Sequence, residues 1–170
     1  MNDAWFNDSD IVTVDQALID RLKQDAGRNL SKRMRFCLHQ DLAADLHEMV
    51  IAVAPGGYLR PHQHPHKSES FHVIEGRFWL LVFDDNGEII EKFKMGERGQ
   101  EAIFLYRLEP GYWHTIRPLT DFVVLHEVTR GPFVKEEASL FPSWAPDGNE
   151  PEQVRAFHEK LDRICGIGGE

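Results

Sequence analysis

The stretch of sequence that decides the fold covers residues 56–76 and reads GGYLRPHQHPHKSESFHVIEG. His62 and His64 lie two residues apart, so on an extended strand both imidazoles point to the same face. Residues 65–68 suit a turn, after which Glu69 begins the next strand and faces the same side. Where that side lines a barrel interior, the two imidazoles and the carboxylate converge. This donor set is typical of a transition-metal site with open coordination positions.

A fourth ligand is expected from a later strand. Residues 109–114 read EPGYWH, and the turn at Pro110-Gly111 lets the side chain of His114 enter the same interior. Three imidazoles and one carboxylate suit one divalent ion of iron, manganese, zinc, nickel, copper or cobalt, and do not select among them. His66 continues the alternation, but Pro65 begins a turn there, so whether His66 is also a ligand stays open.

These two segments resemble a known pair of motifs. Residues 56–76 resemble the first cupin motif at every spacing, and residues 111–114 resemble the core of the second. Near the second motif, Glu109 stands where a proline is usual and Pro118 where an asparagine is usual. The resemblance implies an all-β cupin double-stranded β-helix, which is a jelly-roll barrel, with His62, His64, Glu69 and His114 as its metal ligands.

A narrower resemblance covers most of the chain. Residues 33–39 (RMRFCLH), 58–64 (YLRPHQH), 113–115 (WHT) and 144–146 (WAP) are similar to the WbuC family of cupin-fold metalloproteins. That family takes its name from O-antigen gene clusters. The resemblance therefore implies a bacterial protein and hints at surface-polysaccharide metabolism, without implying a particular reaction.

The wider pattern agrees with a β fold. Residues 34–130 consist of short apolar or alternating runs that turn residues interrupt, which favours a closed or double-sheet β structure. Asn86-Gly87 predicts a two-residue hairpin turn. The predicted strands are residues 34–39, 46–54, 58–62, 69–74, 77–83, 89–93, 102–108, 114–117 and 122–128.

Amphipathic helices are expected on both sides of the strands. Residues 14–26 have apolar residues at helical spacing after a capping box at residues 13–16, and Gly27 ends this helix. We expect it outside the main fold, as a packing or dimer-contact helix. Pro151 suits the first turn of a second helix, whose apolar stripe packs on the barrel wall or on a second subunit. We expect one cupin domain over residues 1–170, with a helical extension (1–32), a barrel (33–131) and a C-terminal loop and helix (132–170).

Four other residues are candidates for catalysis. Tyr58 and Arg60 share the parity of His62, so both are expected to line the cavity, where Arg60 needs an anionic partner. A position for Arg60 on the surface, at the end of a strand, is the alternative. His126 and Glu127 lie on a late strand, where alternation turns one of them inward as a candidate general acid or base.

Composition excludes several functional classes. The chain has 170 residues, of which 42% are hydrophobic, and its net charge of −9 disfavours binding to nucleic acid. The N-terminus lacks the pattern of a secretory signal, and the apolar runs are too short to span a bilayer. Two cysteines are too few for a disulfide framework. We therefore expect a cytoplasmic protein with neither nucleic acid nor membrane among its partners.

The ligand set favours a metal-dependent enzyme that acts on a small polar substrate. Isomerisation or epimerisation of a sugar derivative, with a place in O-antigen metabolism, fits an open metal site, and so does iron-dependent oxidative cleavage by a dioxygenase. A non-catalytic barrel that binds or senses a small ligand is the alternative, because a fold does not select a chemistry. The terminal helices and an open sheet edge favour a homodimer.

Overall fold

Short strands lie between two long helices in the structure, a computed structural model that describes residues 3–167. Helix α1 covers Gln16–Arg28, a single turn α2 covers Lys135–Ala138, and helix α3 covers Pro151–Cys165. The remaining terminal residues, 1–2 and 168–170, of the expected domain lie outside the described part. The strands are β1 (Ala4–Phe6), β2 (Arg33–Cys37), β3 (Leu46–Val53), β4 (Glu69–Glu75), β5 (Arg77–Phe83), β6 (Ile89–Gly96), β7 (Leu105–Leu108), β8 (Trp113–Pro118) and β9 (Val123–Arg130).

The strands form two sheets that enclose a common interior. The larger sheet has the order β1-β2-β3-β9-β4-β7, and the smaller sheet has the order β6-β5-β8. Strands β1 and β2 pair in parallel, whereas the other neighbours pair antiparallel. Alternate residues of both sheets point inward and form the main core. Its buried members are Cys37, Met49, Ile51, Val53, Phe71, Val73, Phe78, Leu80, Met95, Ile116, Val123 and Leu125.

Helix α1 packs on the outer face of the larger sheet. Its buried residues Ile19, Leu22 and Ala26 contact the outward side chains of β2 and β3, such as Met34 and Val50. The helix therefore lies outside the barrel and packs on it, which is one of the two roles expected for it. An apolar stripe on a helix next to an uncovered sheet face accounts for this packing.

The ends of α1 differ from the expected ones. Asp15 is the N-cap residue, and its carboxylate accepts a hydrogen bond of 2.9 Å from the backbone N–H of Leu18. The expected cap at Thr13 is wrong, because Asp15 is an equally good capping residue and lies in extended backbone immediately before the first helical residue. Gly27 does not end the helix, which continues to Arg28 and is followed by Asn29.

Three details of the strands also differ from expectation. Residues 58–62 form no strand, apart from one bridge between His62 and His114, since Pro61 lacks the N–H that regular pairing needs. The hairpin at Asn86 is longer than two residues, because the Asp84 carboxylate accepts from the N–H groups of both Asn86 and Glu88. Strand β1 was not predicted, and its length of three residues leaves little pattern to detect.

Helix α3 packs on the outer face of the smaller sheet. Pro151 occupies its first turn as expected, and Phe157 and Leu161 pack with outward residues of β5 such as Leu81. An ion pair between Arg117 of β8 and Asp162, with two N···O distances of 2.7 and 2.8 Å, ties the helix to the sheet. The apolar stripe therefore covers the wall of its own barrel. No helix within residues 3–167 is both long and apolar enough to cross a membrane.

Candidate metal centre

The four expected metal ligands converge inside the barrel. One ligand atom from each of His62, His64, Glu69 and His114 lies within 4.8 Å of the others. Glu69 begins β4 of the larger sheet and His114 lies on β8 of the smaller, so the cluster joins the two sheets. The two histidines of the first motif reach it without a regular strand, because paired backbone hydrogen bonds of 3.0 and 2.8 Å join residue 62 to residue 114.

The backbone fixes the protonation pattern of all three imidazoles. Each Nδ1 atom faces a carbonyl oxygen: that of Arg60 for His62, that of Ala138 for His64 and that of Tyr112 for His114. A carbonyl oxygen only accepts, so Nδ1 carries the proton in each case and a neutral ring leaves a lone pair on Nε2. The same arrangement orients histidine ligands in known metal sites.

The contacts around Glu69 suit a cation. Its carboxylate oxygens lie 2.9 Å from Nε2 of His114 and 3.1 Å from Nε2 of His64. The His114 atom is buried and, despite the short distance, has no hydrogen bond of acceptable geometry within residues 3–167. When Nδ1 holds the ring proton, these contacts bring lone pairs together, and a positive charge between them removes the repulsion. The donor set and its spacing therefore suit a metal ion.

The electrostatics favour the ligand forms of His62 and Glu69. Burial, followed by the charge of His114, lowers the pKa of His62 to about 3, so this imidazole is neutral at physiological pH. Burial opposes ionisation of Glu69, but the nearby charge of His114 holds its pKa well below the usual value. Burial also lowers the pKa of His114, but the Glu69 carboxylate outweighs this and raises it, so a metal ion that binds Nε2 of His114 displaces a proton. Neutral imidazole and ionised carboxylate are the states that bind metal.

Tyr106 supports the carboxylate ligand. Its hydroxyl donates a hydrogen bond of 2.7 Å to Oε1 of Glu69, and its ring packs edge-on against Phe71. The sequence favoured core packing for Tyr106, with the lining of a substrate pocket as the alternative, and did not predict its contact with Glu69. The signal lies in the register of β4 and β7, which pairs Tyr106 with the inward-facing Phe71. A single sequence does not reveal that register.

Alternation on β9 selects Glu127 rather than His126 as the inward residue. Glu127 pairs in register with the core residues Met49 and Phe71, whereas His126 lies on the outer face, with Nε2 3.6 Å from Oε1 of Glu48. Burial and then the charge of Glu69 raise the pKa of Glu127 to about 7. A carboxyl group with this pKa exchanges a proton near neutral pH, as a general acid or base requires.

Tyr58 and Arg60 do not reach this cluster. The Tyr58 hydroxyl donates to the carbonyl of Pro146 at 2.8 Å, and its ring packs against Phe157 of α3. The Arg60 guanidinium lies over the ring of Phe141, 4.9 Å from its centroid. Both residues line a surface cavity of about 710 Å³ beside α3. The alternation of side chains along a strand does not apply here, because residues 58–62 do not form the strand on which that expectation depended.

His66 also lies apart from the cluster. Its side chain is exposed and lines a small surface cavity together with Lys67 and Gly131. The structure therefore groups four, not five, of the histidine and glutamate residues of the two motifs.

Comparison with known proteins gives a family model and several solved structures. The model, described as a domain of unknown function (DUF6016), matches residues 14–95, a range that includes three of the clustered residues and ends before His114. No curated protein matched the chain.

Two of the similar solved structures are of the protein CapF. A complex with the inhibitor 3-isopropenyl-tropolone has 22% identity and a TM-score of 0.51, and the match covers 65% of this chain and 31% of CapF. CapF from Staphylococcus aureus, described as a capsular polysaccharide assembling protein, has the same identity and TM-score and is covered to 29%. This chain thus corresponds to about three tenths of CapF. Oxalate decarboxylase of Lactobacillus farciminis, in a formate complex, matches at 19% identity and a TM-score of 0.46, over 65% of this chain and 34% of that one.

The fold is that of a cupin. Two facing, largely antiparallel sheets form a jelly-roll barrel, and helices flank it on both sides, as the sequence predicted. The His and Glu cluster lies between the sheets and suits a metal ion.

Proposed function

We propose that this protein binds one divalent transition-metal ion at His62, His64, Glu69 and His114 and uses it as an enzyme acting on a small polar substrate. The observation that carries the proposal is the convergence of ligand atoms from three imidazoles and one carboxylate within 4.8 Å, while each Nδ1 atom is committed to a backbone carbonyl. Such an arrangement prepares the ligands before an ion arrives, which lowers the cost of organising the site.

The residues around the centre suit acid–base chemistry on a bound substrate. A bound ion of this kind polarises a carbonyl or hydroxyl oxygen and makes neighbouring protons more acidic. Tyr106 holds the carboxylate of Glu69 in place, and Glu127 holds or accepts a proton on the same inner face. The apolar residues of the smaller sheet, such as Phe78 and Leu80, limit the access of water from the opposite side.

We further propose that the chain is a bacterial member of the WbuC family and that its substrate is a sugar derivative of surface-polysaccharide metabolism. The support is the sequence resemblance at residues 33–39 and 58–64. CapF, by its description a polysaccharide assembling protein, shares the fold and prompts the same class of pathway. A cytoplasmic homodimer completes this proposal, and it follows from the composition and the terminal helices alone.

Elemental analysis of the purified, untagged protein tests the metal site. We expect about one equivalent of a first-row transition metal in the wild type and none in the His62→Ala/His114→Ala double variant. His72→Ala is the matched control, because His72 is exposed on the outer face of β4 and should leave the metal content unchanged. Absence of metal from the wild type after reconstitution would contradict the proposal.

The metal that is found then selects the activity assay. Iron directs the assay to oxygen uptake, whereas zinc, manganese or nickel directs it to isomerisation of sugar derivatives. In either case the double variant should lose turnover while His72→Ala keeps it. A metal-loaded protein that binds a small ligand and shows no turnover would leave the metal site in place and identify a binding module instead of an enzyme.

A further inference from the structure

The barrel interior contains two arginines that the proposed metal centre does not use. Arg33 and Arg35 occupy inward positions on β2, because their register partners Val53 and Ile51 belong to the main core. The Nε atoms of both arginines are buried and have no hydrogen-bond partner among residues 3–167. A buried donor without an acceptor costs free energy, so two of them on one wall call for an explanation.

The arginines lie on the same inner wall as Glu127. Cys37, the next inward residue of β2 after Arg35, pairs with Met49, and Met49 pairs with Glu127. The charges of Arg33 and Arg35, together with those of Glu69 and His64, accordingly act on the Glu127 carboxyl group. No ion pair within 4.0 Å joins either guanidinium to Glu127 in the described part of the chain. The arginines therefore keep donors available beside the centre.

Side chains in this region remain accessible to small molecules. His62 and Glu127 are half-buried, and the His64 side chain is 13% exposed. A small ligand can therefore contact both the cluster and the inward-facing carboxyl group of β9.

With a divalent ion at the centre, the charges in this region do not balance. Arg33, Arg35 and the half-buried Lys67 lie near the carboxylates of Asp3, Glu69 and Glu127, so the ion adds positive charge that these groups do not offset. Uncompensated charge in a protein interior is unfavourable, and a bound anion offsets it. A guanidinium group is particularly suited to this because its planar fork matches the two oxygens of a carboxylate or phosphate group.

We infer that the interior beside the metal centre binds a small oxyanion, whose carboxylate or phosphate group is held by Arg33 and Arg35 while the rest of the molecule faces the metal ligands. That the anion faces a metal ion rests on the proposed function, whereas that Arg33 and Arg35 bind it rests on the inward position and unpartnered Nε atoms of these two residues. For a sugar substrate, the inference specifies an acidic sugar or a sugar phosphate.

Isothermal titration calorimetry with malonate and with inorganic phosphate tests the inference on the full chain, both metal-loaded and metal-free. We expect the wild type to bind one of these anions and Arg33→Gln/Arg35→Gln to bind it at least about tenfold more weakly, because each guanidinium supplies charged hydrogen bonds. Arg98→Gln, at an exposed position, should match the wild type. Neutral malonamide should not bind. Preference for malonate identifies a carboxylate ligand, and preference for phosphate identifies a phosphorylated one.

The outcomes separate this inference from the proposed function. Binding to metal-free wild type that is lost in the Gln double variant supports the arginine site even where no metal loads, which contradicts only the proposed function. Equal affinity of the wild type and the Gln double variant, or no binding of either anion to either form at about 10 mM, overturns the inference. Where the Gln variant does not fold, Arg33→Lys/Arg35→Lys decides, because it keeps the charge without the fork: weaker binding supports the inference and unchanged binding overturns it.

Discussion

The inward face of the larger sheet carries charged and polar groups among its apolar side chains, whereas the buried inward side chains of the smaller sheet, within residues 3–167, are apolar apart from His114. On the larger sheet, the groups are Arg33, Arg35, Glu69 and Glu127. On the smaller sheet, the inward side chains include Phe78, Leu80, Met95 and Ile116, which are all at most 5% exposed. The two walls therefore contribute different properties to one interior.

This difference shows how a small barrel combines a stable core with a reactive site. Apolar burial on one wall contributes free energy of folding, and it also keeps the effective dielectric low near the other wall. Charges on the opposite wall then interact more strongly and have shifted pKa values, as Glu127 does. Variants on the two walls should consequently affect different measurements.

The largest effect is expected from Phe78→Ala on the apolar wall. Phe78 is fully buried in the main core, so its truncation should lower the free energy of unfolding by about 3–5 kcal/mol. The metal content of the remaining folded protein should stay at the wild-type level, because no metal ligand is changed. Chemical denaturation and elemental analysis measure the two quantities. Phe104→Ala, at an exposed position, is the matched control. A variant that keeps its stability and loses its metal would contradict the division between the walls.

On the charged wall, Glu127→Gln should change the pH dependence of stability. The pKa of Glu127 is raised from the usual 4.5 to about 7 in the metal-free folded protein, so the folded state binds a proton that the unfolded state releases. This contribution is fully present below about pH 4.5 and is lost as the pH rises through about 7. Relative to Glu127→Gln, the wild type should lose about 3 kcal/mol of unfolding free energy across this window.

Urea unfolding of the two metal-free proteins at several values between pH 4.5 and pH 8 measures this difference. The exposed Glu101 offers a control, since Glu101→Gln should run parallel to the wild type. Parallel curves for Glu127→Gln as well would show that Glu127 has an ordinary pKa, and the charged wall would lose its proposed acid–base group.

Tyr106→Phe should have a smaller effect, limited to the metal. The substitution removes the hydroxyl that donates to Oε1 of Glu69 and keeps the ring packed on Phe71. Loss of a group that orients a ligand typically weakens metal affinity by about 10- to 100-fold. Tyr112→Phe, on an exposed tyrosine, should leave the affinity unchanged in the same competition assay with a metal chelator. Equal affinities for the two variants would remove Tyr106 from the site.

The sequence predicts the parts of this molecule that depend on local pattern. Residues 77–83 were predicted as a strand and form β5 with the same ends, and the helix that begins at Pro151 was also expected. The convergence of His62, His64, Glu69 and His114 was expected from two short motifs, because spacing within each motif and one turn before His114 suffice to aim these side chains.

The parts that the sequence does not predict depend on pairing between distant segments. Tyr106 meets Glu69 only because β7 pairs with β4 in one particular register, and a shift of one residue would turn it outward. Arg33 and Arg35 likewise become interior residues through the pairing of β2 with β3. The alternation of side chains predicts inward positions only where backbone pairing is continuous. Pro61 interrupts that pairing, so the predicted inward positions of Tyr58 and Arg60 are wrong.

Tyr58→Phe tests the consequence of that interruption and should have the smallest effect. In the structure the Tyr58 hydroxyl donates to the carbonyl of Pro146, which belongs to the C-terminal segment rather than to the metal centre. Its loss should lower the free energy of unfolding by about 1 kcal/mol and leave metal affinity unchanged, the reverse of the pattern expected for Tyr106→Phe. Continuous alternation from His62 would instead place Tyr58 beside the ligands, and the variant would then weaken metal binding at unchanged stability. The same chemical change at the two tyrosines therefore distinguishes the inner wall from the outer surface of the barrel.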